Sequence, residues 1–131
     1  MVYPMDLPVP DQPVKITVGA RYADTVELTV RQIADLVRQD VTGLVRTLKE
    51  RGEIPRSVRS FVRLERGPGP SITVRLTAPR AWSHTGQSTT LAATRLVTQV
   101  EELREAYNRE TLNTPADTCR YYGSTWVDGR E

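Results

Sequence analysis

The stretch that decides the fold is residues 58–77, VRSFVRLERGPGPSITVRLT. Apolar and polar side chains alternate in both halves, which is the two-residue period of a β-strand with one buried face. Between the halves lies RGPGP, where prolines and glycines interrupt regular structure and favour a turn. The sequence therefore predicts a hairpin of strands 58–65 and 71–77. Its aliphatic side chains share one face: Val58, Val62, Leu64, Ile72, Val74 and Leu76.

The opposite face of this hairpin is rich in arginine and carries one aromatic ring, Phe61. Guanidinium groups neutralise phosphates and release counterions, and an exposed ring can stack on an unpaired base. The hypothesis is a nucleic-acid site, for DNA or RNA, formed by residues on this face and at the strand ends: Arg56, Arg59, Phe61, Arg63, Arg66, Arg75 and Arg80. Two alternatives stay open. The face is solvated, with arginine stems shielding Phe61, or it is covered by protein, such as the N-terminal arm or the C-terminal aromatics.

Positive charge is concentrated in the part of the chain that contains this hairpin. The chain has 18 basic and 16 acidic residues, a net charge of +2, and all but Lys15 and Lys49 of the basic residues are arginine. Residues 51–80 contain seven arginines against Glu53 and Glu65, so positive charge is concentrated there. A GC-rich genome would also raise the arginine content, but guanidinium groups are well suited to gripping phosphates and carboxylates.

A helix is predicted over residues 29–51. Thr29 and Gln32 have the spacing of a capping box, and Gly52 follows the last periodic residue as a C-terminal cap. The apolar positions recur every three or four residues: Val30, Ile33, Ala34, Val37, Val41, Leu44, Val45 and Leu48. Gly43 lies inside this run and is expected to mark the close approach of another element.

A second helix is predicted over residues 88–108. Its apolar positions are Ala93, Leu96, Val100, Leu103 and Tyr107. Its solvent-facing side is expected to carry Glu101, Glu102, Arg104 and Glu105. Asn108 is a plausible left-handed terminator, and a loop with Asn113 and Pro115 is predicted over residues 109–118.

The length of 131 residues fits one domain. Four prolines predict an extended arm over residues 1–13, followed by a single α+β domain over 14–131. Alternation over 14–18 predicts a half-buried first strand, and residues 120–127 are expected to close the sheet. The predicted fold is a two-layer sandwich, with a small antiparallel sheet of three or four strands and two helices packed on one face.

The residues give little support to catalysis. A single histidine, His84, excludes a two-histidine metal site, and no motif orients His84 against Cys119 as a base and nucleophile. The prolines of the 66–70 turn remove amides that could cradle a phosphate. We therefore expect no enzyme activity, no catalytic residues, no cofactor and no metal, with an unknown hydrolase as the alternative. Residues 1–13 lack the pattern of a signal peptide and no apolar run approaches membrane-spanning length, so a cytoplasmic location without membrane association is expected.

The run SVRSFVRLERGPGPSITV, together with AYNRE at 106–110 and YYGS at 121–124, resembles small uncharacterised proteins of actinobacteria and their phages. The hairpin is similar to a domain of the large polyvalent proteins found in phages and conjugative elements. That group commonly has paired glycines or serines where this chain has GPGP. The resemblance implies a mobile-element setting and carries over no activity.

Two functions are consistent with these patterns. The first is a non-catalytic accessory module of a phage or mobile element that binds nucleic acid through the arginine-rich face. The alternative is a protein-binding factor, such as an inhibitor of a host defence complex, anchored by arginines and by aromatic residues: Trp82, Tyr121, Tyr122 and Trp126. Core packing is the competing role of these aromatics, and it is favoured for Tyr121 and Trp126. The oligomeric state is left open.

Overall fold

The computed structural model describes residues 15–112 and 118–131. In chain order its elements are β1 (Lys15–Val18), a 3-10 turn (Ala23–Thr25), α1 (Val30–Glu50), β2 (Arg59–Glu65), β3 (Ser71–Pro79), α2 (Arg80–Ser83), β4 (His84–Thr85), β5 (Ser88–Thr89), α3 (Leu91–Glu105), β6 (Arg109–Leu112), β7 (Thr118–Cys119) and β8 (Thr125–Arg130). This mixture of helices and small sheets confirms the predicted α+β class. The predicted arm, 1–13, and the loop residues Asn113 and Pro115 lie outside the described residues.

The predicted hairpin is confirmed as β2 and β3. The strands pair antiparallel, with Val62 opposite Val74 and Phe61 opposite Arg75. Strand β8 then pairs with the other edge of β3, which gives the main sheet the order β2-β3-β8. This second pairing is parallel, so the main sheet is mixed and the prediction of an antiparallel sheet is wrong for β8. The chain crosses from β3 to β8 through α3, and a strand that returns by such a crossover enters the sheet in the same direction.

The first predicted helix is confirmed as α1. The hydroxyl of Thr29 accepts a hydrogen bond from the Gln32 amide at 3.1 Å, and the Gln32 side chain accepts one from the Thr29 amide at 2.9 Å. These two bonds satisfy amides that a helix start leaves free. Gly52 ends the helix with φ +70°, a conformation that favours glycine. The expected close approach at Gly43 is wrong, because apart from the neighbouring backbone of α1 itself no atom of the described residues lies within 4 Å of a Cβ built there.

The second helix, α3, is shorter than predicted. It begins at Leu91 after the N-cap Thr90, because residues 88–89 pair with 84–85 in a small hairpin instead. The predicted apolar side is confirmed, but Arg104, expected on the solvent side, is buried. Asn108 is also buried. Its side chain donates to the Tyr121 carbonyl at 2.9 Å, so it joins α3 to the segment before β8.

The core lies between the inner face of the main sheet and the two long helices. Strand residues Ile72, Val74 and Leu76 are fully buried there. They pack with apolar side chains of the helices and connecting segments: Ile33, Ala34, Val37, Val41, Val45, Leu48, Ile54, Val58, Leu96, Val100, Tyr107 and Tyr121. The two helices therefore cover one face of the sheet, as predicted, and neither α1 nor α3 lies on the other face.

The first strand does not join the main sheet. β1 pairs with β6, and β6 pairs with β7, forming a separate three-stranded sheet. The side chains of β1 are exposed, so the expected half-buried strand is wrong. The predicted loop over 109–118 contains β6 at its start, and the predicted closing strand begins at Thr125 rather than at residue 120.

A polar cluster joins α1 to the end of α3. The buried Tyr107 hydroxyl donates to the Asp40 carboxylate at 2.5 Å, and Arg21 donates to the same hydroxyl at 2.8 Å. Burial and the neighbouring Asp40 carboxylate raise the pKa of Tyr107 to about 12, because both disfavour the phenolate.

Among the described residues, no helix is long and apolar enough to cross a membrane.

Candidate functional site

The uncovered side of the main sheet, here called the outer face, collects the side chains that the strand period directs away from the helices. The register places them in rows that run across the three strands. The outer face comprises Arg59, Phe61, Arg63 and Glu65 of β2, Thr73, Arg75 and Thr77 of β3, and Trp126 and Asp128 of β8.

The central row of the outer face is Phe61, Arg75 and Trp126. Arg75 lies opposite Phe61 on one side and opposite Trp126 on the other. Phe61 is 45% exposed and Trp126 is 39% exposed. Neighbouring strands lie about 4.8 Å apart, so the two rings are separated by roughly 10 Å with a guanidinium between them. The row therefore presents two aromatic surfaces of a size that suits flat apolar ligands.

The guanidinium of Arg75 is held in place by two contacts. Its central carbon lies 4.6 Å from the centre of the Phe61 ring, within the range of a cation–π interaction. Its Nη1 lies 3.7 Å from the Asp128 carboxylate. Arg75 is therefore positioned between an aromatic ring and an acid, and its charge is partly compensated before any ligand arrives.

The other arginines of the outer face differ in their partners. Arg63 lies 3.5 Å from Glu65 on the same strand, and both side chains are largely exposed. Arg59 is exposed, and no carboxylate of the described residues lies within 4 Å of it. An exposed ion pair such as Arg63–Glu65 contributes little to stability, so Arg63 can exchange Glu65 for a phosphate at small cost in free energy.

Helix α3 supports the strand that carries Trp126. The buried Arg104 donates from Nε to the Thr125 hydroxyl at 3.1 Å and from Nη2 to Glu101 at 3.0 Å. Its Nη1 lies 2.8 Å from Glu105. A buried charge is tolerated only with partners of this kind, and here the two carboxylates are supplied by the same helix. These contacts fix the start of β8 and so the position of Trp126 beside Arg75.

The structure brings together four of the seven predicted site residues: Arg59, Phe61, Arg63 and Arg75. The other three lie elsewhere. Arg66 is in the exposed connection between β2 and β3. Arg80 begins α2 and donates to the carbonyl of Gly86 at 3.0 Å, toward the small β4–β5 hairpin. Arg56 follows α1 and lines a groove with residues of that helix.

The aromatic residues divide between core and surface. Tyr121 is fully buried, which confirms its expected core role and removes it as an interface anchor. Trp82 is half-buried against the core, and Tyr122 is exposed beside Ser71 at one end of the sheet. The expected core role of Trp126 is wrong. Its neighbour Val127 is the aliphatic residue of β8, so alternation along the strand turns Trp126 outward.

His84 and Cys119 are the two residues whose surroundings bear on catalysis. His84 Nδ1 lies 2.7 Å from the buried hydroxyl of Ser83, next to it in the chain. Burial raises the pKa of the Cys119 thiol, and this disfavours the reactive thiolate. Within 15–112 and 118–131, no three histidine, cysteine or acidic side chains lie together as a metal site would require.

The chain was compared with models of protein families, with curated proteins and with solved structures. None of the three comparisons finds a significant match.

Proposed function

We propose that this protein binds single-stranded nucleic acid on the outer face of its main sheet. In this proposal it is a non-catalytic accessory module that acts in the cytoplasm. Its setting in a phage or mobile element rests on the sequence resemblance alone. The observation that carries the binding proposal is the central row, in which Phe61 and Trp126 flank Arg75 and both rings are accessible.

The chemistry of this row suits unpaired bases. Every base has an aromatic face, and stacking on an aromatic side chain contributes about 1–3 kcal/mol per base. Arg75 between the rings, with Arg59 and Arg63 in the flanking rows, supplies charge for the phosphates that connect two stacked bases. Sheets with exposed aromatic residues use the same combination of stacking and charge to bind single-stranded RNA.

A duplex suits this face less well. Reading a duplex in the major groove requires a projecting helix or ribbon, whereas the outer face is a sheet whose rings need access to base faces. The net charge of +2 is also small for a protein that would rely on phosphate contacts alone. The proposal therefore includes a preference for single strands over duplexes of the same sequence.

The test is fluorescence anisotropy with a labelled oligonucleotide of about four nucleotides, within the range of known single-strand sites. Phe61→Ala and Trp126→Ala should each weaken binding by at least about fivefold, since each removes one stacking surface. Leu91→Ala is the matched control, because Leu91 is an exposed apolar residue on α3. Wild-type binding that is undetectable at low salt, or that survives loss of both rings, would refute the proposal.

A protein partner on the same face is the second candidate. Exposed Phe61, Tyr122 and Trp126 beside arginines have the composition of interface anchors, with Tyr121 now excluded. An inhibitor of a host defence complex would fit this description. A pull-down with and without nuclease treatment separates the two candidates. A stoichiometric protein that stays bound after nuclease treatment favours the protein partner. A protein that is lost when the nucleic acid is digested favours nucleic-acid binding.

A further inference from the structure

A second cationic surface lies around the edge of β2, where this strand faces α1 instead of another strand. A groove of about 390 Å³ runs between them, lined on the helix side by Thr42, Arg46 and Lys49 and on the strand side by Arg59 and Phe61. The spacing of the three helix residues, four and then three apart, places them on one face of α1. Phe61 and Arg59 also belong to the outer face, so the groove and the outer face are continuous.

The groove continues past the end of α1. A second hollow of about 410 Å³ is lined by Arg46, Lys49, Glu50 and Arg56. Arg56, which was predicted as a site residue but lies off the sheet, therefore belongs to this surface. Together the two hollows bring four cationic side chains to one path, with Glu50 as the single carboxylate among their lining residues.

These cations are not neutralised within the protein. Considering only residues 15–112 and 118–131, none of the side chains of Arg46, Lys49, Arg56 and Arg59 has a carboxylate within 4 Å. On the outer face, by contrast, Arg75 and Arg63 each have an acidic neighbour. The uncompensated charge next to the sheet is therefore greatest in the groove rather than on the outer face.

We propose that this groove, formed by Arg46, Lys49, Arg56 and Arg59, holds the phosphodiester backbone of the nucleic acid strand as it leaves the base stacked on Phe61. The inference rests on the proposed function and adds a path for the strand. Charge complementarity selects the occupant, because a phosphodiester chain carries one negative charge per nucleotide and the groove offers cations in series. A strand that fills only the outer face does not reach Arg46, Lys49 and Arg56, whereas a longer strand does.

The test compares labelled oligonucleotides of about four and about twelve nucleotides on the full chain. A longer strand also offers more registers to the outer face, so every variant that keeps this face gains some affinity from length. We expect the gain of the wild type to be at least about fivefold larger than that of the double variant Arg46→Gln with Lys49→Gln, which should bind the short strand normally. Its matched control is Arg31→Gln with Arg95→Gln, which removes the same charge from exposed positions outside the groove.

Salt dependence gives an independent measure. Two lost phosphate contacts reduce the salt slope by about 1.4 for a single strand. Between about 50 and 200 mM salt, the affinity of the groove variant for the long strand should then fall about sevenfold less than that of the wild type. An equal length gain in wild type and variant, or no gain in the wild type, would overturn the groove and leave the outer face in place. If the wild type does not bind the short strand at all, the proposed function itself is refuted.

Discussion

The ion pair between Arg75 and Asp128 leads to a prediction of tighter binding. Asp128 is the acid beside the central arginine of the outer face, 3.7 Å from its Nη1. A nucleic acid phosphate must compete with this carboxylate for Arg75, and it is also repelled by it. Asp128→Asn keeps the shape of the side chain and removes the charge. We therefore expect this variant to bind a short single strand more tightly than the wild type.

The magnitude follows from the exposure of the pair. The side chains of Arg75 and Asp128 are 35% and 46% exposed, so the pair contributes no more than about 1 kcal/mol to stability. A phosphate held roughly 8 Å from the carboxylate experiences a repulsion of about 0.5 kcal/mol in a water-like dielectric. Removing both effects tightens binding by about 0.5 to 1.5 kcal/mol, which is about two- to twelvefold in affinity.

The assay is anisotropy at low salt, repeated over a salt series. The slope should steepen by up to about 0.7 when Arg75 gains one phosphate. The matched control is Asp35→Asn, which makes the same charge change by breaking the 2.7 Å pair with Arg38 on α1. Unchanged or weaker binding by a folded Asp128→Asn variant, or an equal gain in the control, would refute the assignment of Arg75 as a phosphate ligand.

Two further predictions concern stability. The pKa of Tyr107 rises from 10.0 to about 12 on folding. Between these two pH values the unfolded chain has released the phenol proton and the folded chain still holds it. As the pH rises from 10 to 12, the free energy of unfolding therefore falls by about 3 kcal/mol. Urea denaturation over this pH range should show a shallower decline for Tyr107→Phe, and an unaltered decline would contradict the prediction. Gly43→Ala should raise the free energy of unfolding by about 1 kcal/mol, since the helix has space there. Gly123→Ala should lower it by more than about 3 kcal/mol, because its Cβ would overlap the Ile72 carbonyl oxygen. Thermal denaturation of both variants measures this contrast, and a stabilised Gly123→Ala would contradict it.

The hairpin and the first helix could be predicted because their determinants are local. The period of two over 58–77 assigns each side chain to a face, and Thr29 with Gln32 marks the start of α1 within four residues of sequence. The arginines of the outer face follow from the same alternation. For these elements the tertiary structure agrees with what the local pattern favours.

The burial of Arg104 could not be predicted from local pattern. Arg104 lies among Glu101, Glu102 and Glu105, which is typical of the solvent side of a helix. Its burial depends on the segment before β8, where Gly123 lies so close that a Cβ would come within 3.0 Å of the guanidinium. That contact joins residues about 20 positions apart, and no periodicity in either segment reports it.

The position of Trp126 depends on the same tertiary arrangement. Strand β8 has one aliphatic residue, Val127, so its pattern is too short to show which face is buried without the sheet. The parallel pairing with β3 also required knowledge of the crossover through α3. The half of the candidate site on β2 and β3 was therefore accessible from sequence, and the half on β8 was not.

Chemical-shift mapping by NMR tests the central claim most directly, because it locates the ligand on the folded protein without any substitution. An unlabelled single strand of about four nucleotides is titrated into the isotope-labelled chain. We expect the indole N–H of Trp126, the ring of Phe61 and the amides of β2, β3 and β8 to shift together, while α3 is unaffected. Shifts confined to the helices or to the β1–β6–β7 sheet, or none at all at saturating ligand, would contradict binding on the outer face.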